Sequence, residues 1–306
     1  MQVVYMVQQS SGAIDIASAE KLLKQSVNNA FNSYLYCLHF ITQLALQVDL
    51  EEHRKKNKYL PTDDDRNFST KFFKNPVIKF LIENSVFQSK LRKEKLHTLT
   101  DEEIVPVLYN QLKEFEPYKA YILDTENNLD SKSHKAIIHR IMNEFLCTNE
   151  YFDQHMEDVI TTWADDEFIA KGLIEDIIND IPFSDLLNER YFEFSLTADE
   201  EEFVFTLLRY TISERDRFEK LIEPKLQNWE LDRISIIDNI LMRMALTEFL
   251  YLPTIPIKVS INEYLDISKL YSTPKSKEFI NGVLDKVMIG LRNSGNIIKT
   301  GRGLIE

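Results

Sequence analysis

The chain has 306 residues, enough for one large domain or two subdomains, with 44% apolar and 28% charged residues, a globular composition rather than a disordered one. Only seven residues are glycine, far below the roughly 7% of average proteins. That argues against turn-rich sandwiches, barrels and doubly wound sheets, and no Gly-x-Gly-x-x-Gly or P-loop occurs. The formal charge of −13 sits almost entirely between residues 149 and 202, where 17 acidic residues face two basic ones. Residues 258–302 hold eight basic and four acidic residues, so a nucleic-acid role stays open.

In chain order, the apolar positions from Leu22 to Val48 recur at steps of three and four and predict a long amphipathic helix over Ser18 to Glu52, closed by the basic run His53 to Lys58. Pro76 starts a helix running towards Lys95. Thr100 to Glu103 read as a capping box for a helix to about Phe115. Ser131 to Leu146 and Asp165 to Ile181 follow as amphipathic helices. Thr197 to Glu200 form a second capping box, opening a stripe from Phe203 to Phe218. Helices over Asp232 to Leu250, from Thr254 and Pro256 to Leu270, and from Ser272 to about Arg292 complete the chain. Asn293-Ser294-Gly295 stops the last of them, and the tail to Glu306 reads as frayed. No strand of convincing alternation appears.

No catalytic or metal constellation stands out. Glu94-x-x-His97 has di-iron bundle spacing but occurs once, and His134 and His139 fall on different helical faces. His39 reads as a hydrogen-bonded core residue, and Asp165-Asp166-Glu167 as carboxylates favoured by a helix start. Cys37 and Cys147 cannot build a disulfide framework or a thiolate zinc site, and neither has neighbours that would activate a thiol. Catalytic residues, metal and cofactor are therefore all expected to be absent. Tyr34 to Leu50, the most apolar stretch, is interrupted by polar residues and too short for a membrane span, so the expected compartment is the cytoplasm. A helix-interior Gly282 predicts close helix–helix approach, and Arg243 and Glu248 predict an ion pair with Glu263 or Asp285.

The most specific signal is an ordered set of segments. Asp232-Arg233 and Ile237-Asp238 lead into Leu241-Met242-Arg243-Met244-Ala245 and Glu248, then Ile255-Pro256-Ile257-Lys258-Val259, Ile261-Asn262-Glu263, and Phe279-Ile280-Asn281-Gly282-Val283-Leu284-Asp285-Lys286. This succession resembles the NusB family of transcription antitermination factors over about residues 197–292, and Gln2 and Tyr5 resemble the inner half of that family's first helix. The resemblance implies an all-α fold of two packed helical subdomains without catalysis. It implies binding of boxA-type RNA together with the ribosomal protein NusE, alongside other Nus factors and RNA polymerase. By position it implies RNA contacts at Gln2, Tyr5, Lys225, Lys275, Ser276, Lys277 and Phe279, and partner contacts at Asp238, Lys258, Asn262 and Glu263. Tyr5 is read either as a stacking platform or as a core aromatic.

Two departures accompany the resemblance. No basic residue precedes Lys21, where the family's first helix opens with arginines, and about 180 residues separate that helix from the C-terminal half. The expected organisation is an N-terminal helical subdomain over 1–196 (family helix at 1–10, inserted helices at 11–196), a NusB-like subdomain over 197–295 and a tail over 296–306. A protein–protein adaptor that retains NusE binding with weak RNA affinity is the alternative function. A module of an RNA cytosine methyltransferase would need a further catalytic domain.

Overall fold

A computed structural model describes residues 1–10, 14–101, 103–124, 131–180, 191–226 and 234–305. Every regular element among them is helical, as the periodicity predicts. The chain divides into two compact units, residues 26–195 and residues 1–25 with 196–306.

The larger unit is built on α2 (Ile16–Lys56), of which residues 26–56 belong to it. Tyr34, Leu35, Tyr36, Cys37, Leu38, Phe40, Ile41, Leu44, Ala45 and Val48 are all buried, so the helix is enclosed on nearly every side. Around it lie α3 (Asp63–Arg66), α4 (Pro76–Glu83), α5 (Ser85–Lys93), α6 (Ile104–Leu112), α7 (Glu116–Leu123), α8 (Ser131–Arg140), α9 (Glu150–Val159) and α10 (Trp163–Asp180). Edge-on aromatic contacts knit α2 to α9 and α10: Phe40 meets Phe152 with ring centres 5.1 Å apart, and Phe152 meets Trp163 at 6.0 Å. The Tyr36 hydroxyl is hydrogen-bonded to Nε2 of buried His155 at 2.6 Å. The Ser33 hydroxyl donates to buried Asp166 at 3.3 Å, and Thr162 to the same carboxylate at 2.5 Å.

The helix predicted from Pro76 to Lys95 is two helices. Asn84 breaks it because its side chain accepts from the Phe87 N–H at 2.8 Å and so starts a second helix. The helix predicted from Ser131 to Leu146 ends at Arg140 and continues as a π-helical turn over Ile141–Phe145. Of the capping box at Thr100, Glu102 lies outside the described residues; α6 starts after Glu103 without a side-chain cap, and the Thr100 hydroxyl has no partner among the described residues.

The second unit contains α1 (Gln2–Gln9), the first turns of α2, α11 (Ala198–Ser213), α12 (Arg215–Ile222), α13 (Ile236–Tyr251), α14 (Ile257–Tyr271) and α15 (Ser276–Asn293). The capping box at Thr197 forms as predicted, its hydroxyl accepting from the Glu200 N–H while the Glu200 carboxylate accepts from the Thr197 N–H. Helix α13 is the axis of this unit: every residue from Asp238 to Phe249 is buried, and α1, α11, α12, α14 and α15 all pack against it.

Three expectations are corrected here. Arg243 and Glu248 do not pair with Glu263 or Asp285. Arg243, 2% exposed, donates to the Gln8 side chain at 2.7 Å and to the Thr211 carbonyl at 3.4 Å. Buried Glu248 accepts from the hydroxyls of Ser260 and Tyr264. Gly282 allows no close approach, because nothing lies within 4 Å of where its Cβ would stand. The tail is not frayed: Lys299 donates to the carbonyls of Glu248 and Leu252 at 2.9 and 3.0 Å, Thr300 N–H donates to Pro253 O at 3.0 Å, and Gly303 is buried.

A Cβ at Gly303 would stand 2.0 Å from the Pro253 carbonyl oxygen, a clash with backbone that cannot rotate away. Gly303→Ala is expected to detach the last turn, read as faster amide hydrogen exchange over residues 299–305, with α13 still protected.

His39 is buried on α2 and its Nδ1 has no partner among the described residues, so the expected hydrogen bond at that nitrogen is not formed. Burial, assisted by repulsion from His97, lowers its pKa to about 4 from an ordinary 6.5. Between those values the unfolded chain binds a proton that the folded chain refuses, so stability falls as pH falls from 6.5 to 4. The ceiling is about 3 kcal/mol. Urea titrations from pH 7 to 4 should therefore show a steeper loss for the parent than for His39→Leu.

Candidate nucleic-acid interface

The residues singled out in the sequence gather in three places. The first is where α13 and α15 begin. Ser235 caps α13, its hydroxyl accepting from the Asp238 N–H at 3.0 Å. The Asp238 carboxylate is buried and accepts from the Ser272 hydroxyl at 2.6 Å and from the Ser276 hydroxyl at 2.9 Å. Hydroxyl contacts of 2.9 Å between Ser272 and Ser276 and 2.8 Å between Thr273 and Ser276 close the network. One carboxylate thus ties the starts of two helices to the segment that links α14 to α15.

A cleft of about 250 Å³ opens beside this network, lined by Ile234, Ser235, Asp238, Thr273, Lys275, Ser276 and Phe279. Lys275 and Lys277 are exposed, whereas Phe279 is half-buried. An aromatic ring and the Lys275 ammonium sharing one cleft at the amino end of an 18-residue helix suit a stacked base with its phosphate. Asp238 and Ser276, expected from the resemblance as a partner and an RNA contact, stand at the wall of this cleft. Both are buried and satisfied by each other, because a carboxylate taken out of water needs hydroxyl donors. The spacing Ser272-Thr273-x-x-Ser276 is the signal that sequence reasoning passed over.

The second place is α1. Val3 and Val4 face the core, while Tyr5 is 37% exposed and its hydroxyl accepts from the Gln9 amide at 3.2 Å, so Tyr5 is not a core aromatic. Gln2 is half-exposed on the same helix. Gln8, not predicted, is the residue that anchors α1, through Arg243. Burial and the repulsion of Arg215 lower the Arg243 guanidinium to about 10, which still leaves it charged at neutral pH.

The third place is α14, where Lys258, Asn262 and Glu263 are exposed along one flank beside Val259. Lys258 and Asn262 stand one turn apart, as do Val259 and Glu263. The stripe is polar with one apolar member, the composition of an interface rim.

Lys225 does not join the cleft. Its ammonium lies 3.8 Å from the Cβ position of Gly290, eleven residues beyond Phe279 on α15, or about 16 Å along the axis.

Burial raises the Cys37 thiol and pushes Cys147 up to about 12, so both stay protonated at neutral pH. Among the described residues no helix is long and apolar enough to cross a membrane.

If Asp238 is a structural tie, Asp238→Ala should cost about 2–3 kcal/mol in urea denaturation, because the Ser272 and Ser276 hydroxyls lose their carboxylate acceptor. Lys258→Ala on the exposed flank should leave the midpoint unchanged.

Residues 169–288 match the NusB family model. The transcription antitermination protein NusB of Chloroherpeton thalassium is 39% identical over 139 residues, which make up 45% of this chain and 58% of the relative. Its namesake in Salinibacter ruber is 44% identical over 104 residues, 34% of this chain and 65% of the relative. That of Desulfatibacillum aliphaticivorans is 43% identical over 93 residues, 30% and 65% respectively. The chain thus spans less than two thirds of the length of each. No solved structure matches it.

Proposed function

Because the chain carries a NusB-family domain over residues 169–288, we propose that it is a non-catalytic, RNA-binding transcription antitermination factor of the cytoplasm. Its RNA is of the boxA type, bound together with the ribosomal protein NusE, and the complex joins other Nus factors on RNA polymerase. The observation that carries this reading is the cleft at the start of α15, lined by half-buried Phe279 and exposed Lys275 within the matched segment, with exposed Lys277 in the same first turn.

In this reading Phe279 stacks on an unpaired base, the two lysines meet flanking phosphates, and Tyr5 with Gln2 on α1 extends the contact. Lys225 meets the strand further along α15. The α14 flank with Lys258, Asn262 and Glu263 is the protein-binding side, and Asp238 supports the cleft from within rather than touching the partner. Residues 11–196 are an insertion between the family's first helix and the C-terminal subdomain over 197–295.

The adaptor reading keeps the α14 flank and gives up strong RNA affinity. It is favoured by one specific observation, the net charge of −15 between residues 149 and 202, which repels phosphates.

A filter-binding titration with boxA RNA, with and without NusE, tests the proposal. Binding that weakens with salt and strengthens with NusE is expected; no binding even with NusE would establish the adaptor. Phe279→Ala should weaken RNA binding about 10-fold or more, the worth of one base stack, while moving the melting temperature little. Lys275→Ala with Lys277→Ala should lower the slope of log affinity against log salt by about 1.4, or 0.7 for each lost phosphate contact.

A further inference from the structure

Helix α10 has two faces of different character. Trp163, Asp166, Ala170, Ile174, Ile177 and Ile178 are buried in the core of the larger unit. Asp165, Phe168, Ile169, Gly172, Glu175 and Asp176 recur at steps of three and four and are all exposed. Phe168 is 85% exposed and Ile169 48%. A single exposed apolar side chain needs no explanation, but here two flank a helix-interior glycine. Nothing lies within 4 Å of where a Cβ on Gly172 would stand. A glycine in a helix interior is destabilising, and among the described residues no close contact accounts for this one. It leaves a notch in the helix surface beside an uncovered phenyl ring.

The charged residues on this exposed face of α10 are all acidic, and Lys135 of the neighbouring helix α8 is engaged with the Asn179 carbonyl at 2.6 Å. Asp165 lies at one end of the stripe, and Glu175 with Asp176 at the other, about 16 Å away along the axis. The one cation on α10, Lys171, is held by Glu167 at 2.6 Å.

We propose that this face of α10 docks a basic amphipathic helix of a partner protein. The partner's apolar residues cover Phe168 and Ile169, and its backbone approaches over Gly172, where no Cβ intervenes. Its lysines or arginines, about three turns apart, meet Asp165 at one end and Glu175 with Asp176 at the other. A polyanion is the wrong occupant, since an uncompensated acidic surface repels phosphates. The site is distinct from the cleft at Phe279 and is independent of RNA binding there.

The test uses the full chain and a fluorescently labelled synthetic peptide. Its Leu- and Ala-rich helical face carries paired lysines at positions 1–2 and 12–13, and a scrambled peptide of the same composition serves as control. Anisotropy should show the amphipathic peptide binding at least 10-fold more tightly than the scramble, and more weakly as salt is raised. Phe168→Ser with Ile169→Ser, and separately Gly172→Leu, should each reduce that affinity at least 10-fold. All three positions face solvent, so an unchanged circular dichroism melt verifies that each variant folds. Equal binding of the scramble, undiminished binding by the folded variants, or tighter binding of single-stranded RNA than of the peptide at this face would overturn the proposal.

Discussion

Helix α13 carries polar side chains into the middle of its bundle, and four of them, Asp238, Arg243, Thr247 and Glu248, are tied to surrounding elements. Asp238 holds the start of α15 through Ser276. Arg243 holds α1 through Gln8, Thr247 meets Thr211 of α11 at 3.1 Å, and Glu248 holds α14 through Ser260 and Tyr264. Even the tail is tied to this axis, through Lys299 and the Glu248 and Leu252 carbonyls. An apolar core alone tolerates sliding and rotation of its helices, because oil-like contacts are nearly interchangeable. A charged group buried without its donors is costly, so each tie permits one register and penalises the others. The positions of Phe279, Tyr5 and the α14 flank all follow from these registers.

The same logic operates with different chemistry around α2 in the larger unit. There the enclosing contacts are mostly aromatic, and the polar ties are few: Tyr36 to His155, and Ser33 with Thr162 to Asp166. Burial raises the pKa of Asp166, a carboxyl whose ionised form is poorly solvated and relies on two hydroxyls. His39 adds an unpartnered nitrogen. Burial there disfavours the charged forms of His39, His155 and Asp166, whereas the bundle around α13 buries an arginine, a glutamate and an aspartate against hydrogen-bonding partners.

Local features were the legible ones. The Thr197 capping box, the start at Pro76 and the end of α15 near Asn293 depend on neighbours within four residues, and the structure has them where the spacing predicts. Asn84 is also local, yet its side chain competes with a continuing helix and the choice turns on packing. The ties of α13 were not legible at all: Gln8 lies 235 residues from Arg243, and no periodicity carries that information. The candidate cleft was half legible. Phe279 and its lysines follow from the resemblance, while the inward turn of Asp238 follows from two hydroxyls, Ser272 and Ser276, whose spacing looks like an ordinary loop. The exposure of Phe168 was not legible either, since an aromatic on an amphipathic helix is ordinarily counted with the buried face.

The seat of Lys225 over Gly290 makes α15 a ruler. Phe279 and that ammonium mark two points about 16 Å apart on one rigid rod. A strand stacked at about 3.4 Å per nucleotide would need roughly five nucleotides to touch both marks, and an unstacked one fewer. The helix thereby sets a minimum footprint and a direction of travel for any ligand that engages both ends, whatever its base sequence.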